Sequence, residues 1–343
     1  LEIACSSPHC AGLDADLYAG IDFGGTKIAV VIAAESGEVA AEEVIPTHAD
    51  AGPSQAVSRT CRLVDDLRRE HRLRIQAIGI GLPGLIDREK GSIVLLPNLP
   101  ASWRGFRIAD AFEAHFGIPI FLSNDARTAT LGEYTFGNAA DMQDMLFVTV
   151  GTGIGGGLVL DGRLHEGIFG AAGELGHQTI LPNGALCGCG NRGCLETLFS
   201  GPVLAAAGMA LLREGRAPAL KELVGVSGVA TATEMAAAAQ NGDAAVAEVI
   251  QTAAEYLGIG IANAVTMTAV REVVLGGGLC VLGDLLLEPV RRAIRDRVRM
   301  FPSESVQVRF STLGSRSGAL GGVALAAHEF SRSEKEVLHQ AWR

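Results

Sequence analysis

Apolar positions alternate or run in short blocks near the start of the chain, and that pattern predicts strands before helices. Residues 17–22 and 28–34 are two apolar runs joined by Gly24-Gly25-Thr26-Lys27, and Ser36-Gly37-Glu38 turns the second into a third strand over 39–46. A three-stranded meander follows from these signals. Over 53–71 the period changes, with apolar or small residues at Ala56, Cys61, Val64 and Leu67 and charges between them, which predicts a helix. It feeds an apolar strand over 75–81. Leu82-Pro83-Gly84 breaks that strand, and short elements follow: a strand over 93–96, a helix over 108–115 and a strand over 118–122.

Ser123-Asn124-Asp125 then caps a helix reaching 136, because Asn and Asp side chains accept the free amide hydrogens of a first turn. Strand, glycine-rich turn and strand recur over 145–150, 151–157 and 158–161, a weak internal repeat of the opening pattern. Alanine-rich helices over 203–214, 231–241 and 243–270 lead to a strand over 272–275 and a glycine turn. The chain closes with a helix over 282–300, a strand over 306–310 and a helix over 318–332.

A length of 343 residues exceeds what one core usually serves, so two domains are expected. The hydrophobic share of 48% against 19% charged residues excludes the disordered class. The net charge of -10, without a basic stripe, argues against a nucleic-acid surface. Apolar runs fall short of a membrane span, and seven cysteines without a disulfide framework suit a reducing, cytoplasmic setting. Residues 1–16 read as a poorly ordered extension; a small metal site from Cys5, His9 and Cys10 is the less favoured alternative.

The densest chemical signal is His177 with Cys187, Cys189 and Cys194. Three thiolates and an imidazole close a tetrahedral zinc shell, which makes the metal structural, whereas ordinary buried cysteines are rarely spaced so closely among glycines. Glu174 and Glu196 flank this segment. An ion that fixes the loop therefore fixes two carboxylates, an arrangement suited to polyol recognition. The turn Asp22-Phe23-Gly24-Gly25-Thr26-Lys27 can cradle a phosphate through its amides, with Thr26 and Lys27 adding a hydroxyl and a charge. Neither it nor the 151–157 turn fits the dinucleotide or Walker templates; as a pair they suit a triphosphate gripped from two sides. Gly276-Gly277-Gly278 offers a third turn for a nucleoside. Asp125, at a strand-to-helix junction, is the candidate base, with simple helix capping as the competing role.

With these motifs in this order, the chain resembles the ROK family (repressors, open reading frames, kinases), and within it the bacterial glucokinases, over about 17–327. The resemblance implies an α/β, duplicated actin-like (ribonuclease H-like) ATPase fold with two domains around a cleft: 17–124, completed by a C-terminal helix over about 318–343, and 125–317 with the zinc loop 177–194. It implies phosphorylation of the 6-hydroxyl of glucose by ATP and Mg2+, with structural Zn2+ and a homodimer. Asp125 is then the base; Asn124, Glu174, His177 and Glu196 hold sugar hydroxyls; one ring nitrogen of His177 binds zinc while the other reaches a hydroxyl. Asp22 positions magnesium, while Gly24, Gly25, Thr26, Lys27, Thr152, Gly153, Gly155 and Gly156 line the phosphates and Gly277 borders the nucleoside. Asn98 and Trp103 also match the pattern. Other acceptors (N-acetylmannosamine, fructose, mannose, allose) and polyphosphate as donor stay open. A sugar-responsive repressor is the other class, and the sixteen residues before Leu17 are too few for its DNA-binding unit.

Overall fold

A computed structural model describes residues 16–88, 90–95, 100–138, 142–225 and 228–341. The first strands are β1 (Leu17–Phe23), β2 (Lys27–Ala34) and β3 (Val39–Pro46). They pair antiparallel, with Ile21 opposite Val30 and Val30 opposite Glu43. Helix α1 (Pro53–His71) has Pro in its first turn, where a missing N–H costs nothing, and buries Ala56, Val57, Thr60, Cys61, Leu63, Val64 and Leu67 along one face. β4 (Ile75–Leu82) runs parallel to β1, and all but Gln76 is buried, as expected of an interior strand covered on both faces. A hairpin of β5 (Leu85–Asp87) and β6 (Ser92–Leu95), then α2 (Ile108–Phe116), lead to β7 (Ile120–Asn124), parallel to β4. The sheet order is β3-β2-β1-β4-β7.

Helix α3 (Asp125–Phe136) crosses to a second sheet built from β8 (Met145–Val150), β9 (Ile154–Leu160) and β10 (Arg163–His165). α4 (Gly201–Arg213), α5 (Pro218–Val224), α6 (Ala232–Gln240) and α7 (Ala244–Thr268) precede β11 (Glu272–Gly276), and α8 (Asp284–Arg297) precedes β12 (Gln307–Phe310). The order is β10-β9-β8-β11-β12, again an antiparallel meander followed by two parallel strands. The internal repeat seen in the sequence is thus a duplication of the whole sheet, and the two glycine turns occupy equivalent hairpins.

The chain returns to the first sheet through α9 (Ser317–Ala341), whose Ala319, Leu320, Val323, Ala326 and Ala327 form a buried cluster with Tyr18, Ala29, Val31, Ala33 and Ala77. α3 and α9 cross closely: a β-carbon on Gly321 would stand 1.7 Å from the Thr128 carbonyl oxygen. Beside that crossing the fully buried Glu133 accepts from Ser311, just past β12, and from Ser317 at 2.7 Å, at the start of α9. This carboxylate ties together the segment where the chain passes between sheets.

Three differences from expectation have clear causes. Residues 155–157 are strand instead of turn: Gly155, Gly156 and Gly157 pair with Thr149, Val148 and Phe147, and only 151–153 turns. The segment Leu195–Arg213 is 19 residues long with mean hydropathy 1.5, long and apolar enough for a membrane span by length and composition alone. Its Leu195, Phe199, Leu204 and Leu211 are instead buried in the core of the larger lobe. Asp16, placed in the extension, is anchored by a hydrogen bond from Gln76 (2.8 Å). Cys5, His9, Cys10 and Asn98 lie outside the described residues.

Candidate active site

Each glycine turn is closed by its own backbone and braced from behind. In the first, the Gly24 amide donates to the Lys27 carbonyl (3.0 Å) and the buried Thr47 hydroxyl donates to the Gly24 carbonyl (2.6 Å). Thr26 and Lys27 stay exposed, as phosphate donors must. In the second, the Gly151 amide donates to the Gly153 carbonyl (2.9 Å), and Gly201 at the start of α4 donates to Gly151 (2.8 Å); Thr152 is exposed. Gly155 and Gly156 lie in β9, where a β-carbon would meet Ala126 at 2.9 Å and the Gly173 carbonyl at 2.8 Å. Their glycines serve close packing. Gly277, at φ +91°, sits over the end of β8, where a side chain would strike the Val150 carbonyl.

Between the clasps lie two carboxylates. The Asn124 side chain caps α3, accepting from the amides of Ala126 (3.0 Å) and Arg127 (3.3 Å) while donating to the Gly84 carbonyl (3.0 Å). Asp125 accepts one bond from Ala126 (2.7 Å). Burial raises its pKa from the ordinary aspartate value, the Ala126 amide and the Arg127 charge oppose the rise, and Glu174 adds to it. Asp22, at the end of β1, is pushed up to about 6 by burial first and the Asp125 charge second, against the pull of Lys27. Two buried carboxylates, one of which raises the other, share a space suited to a cation and a proton acceptor.

In the cysteine segment, Cys187 Sγ lies 3.6 Å from His177 Nδ1 and Cys189 Sγ lies 3.7 Å from Cys194 Sγ, with all four ligand atoms within 4.8 Å of one another. A tetrahedral shell with Zn–S near 2.3 Å places neighbouring ligands about 3.5–3.8 Å apart, so the residues fit zinc. Burial pushes the Cys194 thiol up to about 12 and raises Cys187, while the Asn191 amide lowers Cys189. Since Nδ1 faces the sulfurs, Nε2 of His177 is left on the other side, 3.8 Å from Glu174 Oε2. Glu196 accepts from the Ile154 amide (3.0 Å), and its Oε2 covers Gly153. The zinc segment and the second clasp therefore touch through Glu196. Glu174 faces His177, and Glu196 stands on the other flank of the cluster, 3.9 Å from Cys187 Sγ.

Arg127 escaped the sequence reading. It is 2% exposed and donates to Asn124 Oδ1 (2.9 Å) and Glu174 Oε1 (2.8 Å). An arginine within an otherwise small-residue stretch of α3 was its one visible sign. Trp103 is fully buried, stacked edge-on to Phe23 with its indole N–H on the Ala49 carbonyl (3.1 Å), which makes it a support under the first clasp.

This duplicated scaffold, with two hairpin clasps around paired carboxylates, defines an actin-like phosphotransferase. The chain belongs to the ROK family, whose model matches residues 18–329. A glucokinase from Halalkalibacterium halodurans is 34% identical over 322 residues, 93% of this chain and 97% of that protein. A xylose repressor from Caldicellulosiruptor bescii is 31% identical over 89% of this chain and 77% of its own length. Among solved structures, a ROK family glucokinase from Streptomyces griseus in complex with glucose and AMPPNP superposes with a TM-score of 0.79 at 31% identity, covering 91% of this chain and 99% of that one.

Proposed function

We propose that the protein transfers the γ-phosphoryl group of ATP to the 6-hydroxyl of glucose. The observation that carries this reading is the placement of Asp125, freed from capping by Asn124, between an Asp22–Lys27 clasp and the braced trio Glu174, His177 and Glu196. Phosphoryl transfer asks chiefly for alignment and charge neutralisation. Gly24, Gly25, Thr26 and Lys27 hold phosphate oxygens from one side, and Thr152 and Gly153 hold them from the other. Gly277 borders the nucleoside. Asp22 would hold magnesium, whose charge would offset that of the phosphates.

On the acceptor side, Glu174, His177 Nε2 and Glu196 orient sugar hydroxyls, joined by Asn124 through the part of its amide not spent on the helix. Asp125 takes the proton as the hydroxyl oxygen attacks. The three cysteines brace the trio through His177 and take no part in the transfer.

ADP release measured with glucose, mannose, fructose, allose and N-acetylmannosamine, and repeated with polyphosphate as donor, tests this reading. Highest kcat/KM with glucose and ATP supports it; turnover of none of the hexoses with either donor overturns it. The repressor relative favours one second reading, a sugar-sensing regulator. Sugar-sensitive shifts of DNA fragments in a gel, without ADP release, would establish that reading instead.

A further inference from the structure

The loop of residues 166–174, which ends at Glu174, is held at both ends by arginines from outside it. Arg88, beyond β5, pairs with Glu166 at its start, and Arg127 of α3 pairs with Glu174 at its end. The pairs differ in kind. The Arg88 and Glu166 side chains are 37% and 43% exposed, so solvent screens their attraction. The Arg127 side chain is 3% exposed, and parting it from its acceptors would strand a charge in the interior.

Its fork is divided between two residues of the acceptor site. Nη1 donates to Asn124 Oδ1 and Nη2 to Glu174 Oε1, while Nε is buried without a hydrogen-bond partner. Arg127 also lines a cavity of about 20 Å³ with Gly84, Ser123 and Asn124, room for about one water. Glu174 gives only Oε1 to this contact; Oε2 faces the His177 ring. A carboxylate has about four acceptor positions, so most of Glu174 stays available to hydroxyls. The rigid planar guanidinium, with one arm on Asn124 and the other on Glu174, holds these two residues in a fixed relation that a flexible ammonium does not.

We propose that Arg127 is a positioning residue for the sugar: from the same helical turn that carries Asp125, its buried guanidinium sets the orientation of Glu174, so one rigid element places both the base and the carboxylate that reads the acceptor. The inference rests on the kinase reading above. It assigns Arg127 to acceptor binding and leaves the nucleotide side unaffected.

The test is steady-state kinetics of hexose phosphorylation by Arg127→Met, Arg127→Lys, Glu174→Gln and the combined variants, with calorimetric glucose binding alongside. Arg127→Met raises the sugar KM about 10- to 100-fold, the usual cost of losing a residue that orients a ligand-binding group. The nucleotide KM stays within about twofold. Arg127→Lys, retaining charge without the fork, recovers part of the loss. In the Glu174→Gln background, either Arg127 change adds less than about threefold, because the group it positions is already altered. An unchanged sugar KM in Arg127→Met, or full additivity with Glu174→Gln, overturns the proposal. Should Arg127→Met fail to fold, the cycle with Arg127→Lys decides by the same criteria. Wild-type protein that neither binds nor phosphorylates any hexose overturns the kinase reading together with this one; an active wild type with normal Arg127 variants overturns this one alone.

Discussion

Asn124 and Asp125 are adjacent, yet α3 uses them differently. The Asn124 side-chain oxygen accepts from the Ala126 and Arg127 amides, which leaves the Asp125 carboxylate with a share of the Ala126 amide and the space beside Asp22. Burial holds the Asp125 pKa above the ordinary aspartate value, so the base form is lost as pH falls through that raised value. The acid limb of a pH profile of kcat/KM should therefore lie above about 3.9, and a limb at or below it would remove Asp125 as the titrating base. At this scale the sequence was informative wherever a role depends on near neighbours. The strand-to-helix junction drew attention to Asp125, and cysteine spacing to four residues whose ligand atoms the fold gathers within 4.8 Å. Arg127 was illegible because its meaning comes from Glu174, 47 residues along the chain.

The cysteine segment behaves as one element. His177 closes the ligand set through Nδ1, Glu174 stands three residues before it, and Glu196 stands two residues after Cys194. Replacing Cys189 by Ser should empty the site of zinc and raise the sugar KM by releasing Glu174 and His177. Metal content by mass spectrometry, read beside KM, checks this; active wild-type protein without zinc would contradict it. Most strands and helices were legible because their apolar periods differ. Residues 155–157 were not, since three glycines carry no side-chain pattern. They pair with β8, and Ala126, Thr130 and Gly173 stand where side chains would otherwise be. β5, β10 and α5, of three, three and seven residues, are too short for a period to register.

At the scale of the molecule, two copies of one sheet topology are joined by α3 and α9, and the glycines of that crossing set how near the lobes stand. Gly321 touches the Thr128 carbonyl, Gly132 the Ser317 carbonyl, and Glu133 bonds both serines of the returning segment. Gly321→Ala places a methyl group where backbone already stands and should destabilise the fold by about 1–3 kcal/mol, the usual cost of overpacking. Thermal melting checks this, and an unchanged midpoint would show that the crossing yields freely. Duplication was visible in the sequence as repeated strand, glycine turn and strand; the shared strand order was not, because pairing partners lie far apart in the chain.

The central claim is that Asp125 takes a proton from glucose as ATP gives up its terminal phosphate. Glucose-dependent ADP release by the zinc-loaded protein and by Asp125→Asn, compared at saturating substrates, measures it most directly. The account predicts turnover in the wild type and a loss of about 10²- to 10⁴-fold in the variant with the fold intact. Equal rates in the two proteins would contradict it.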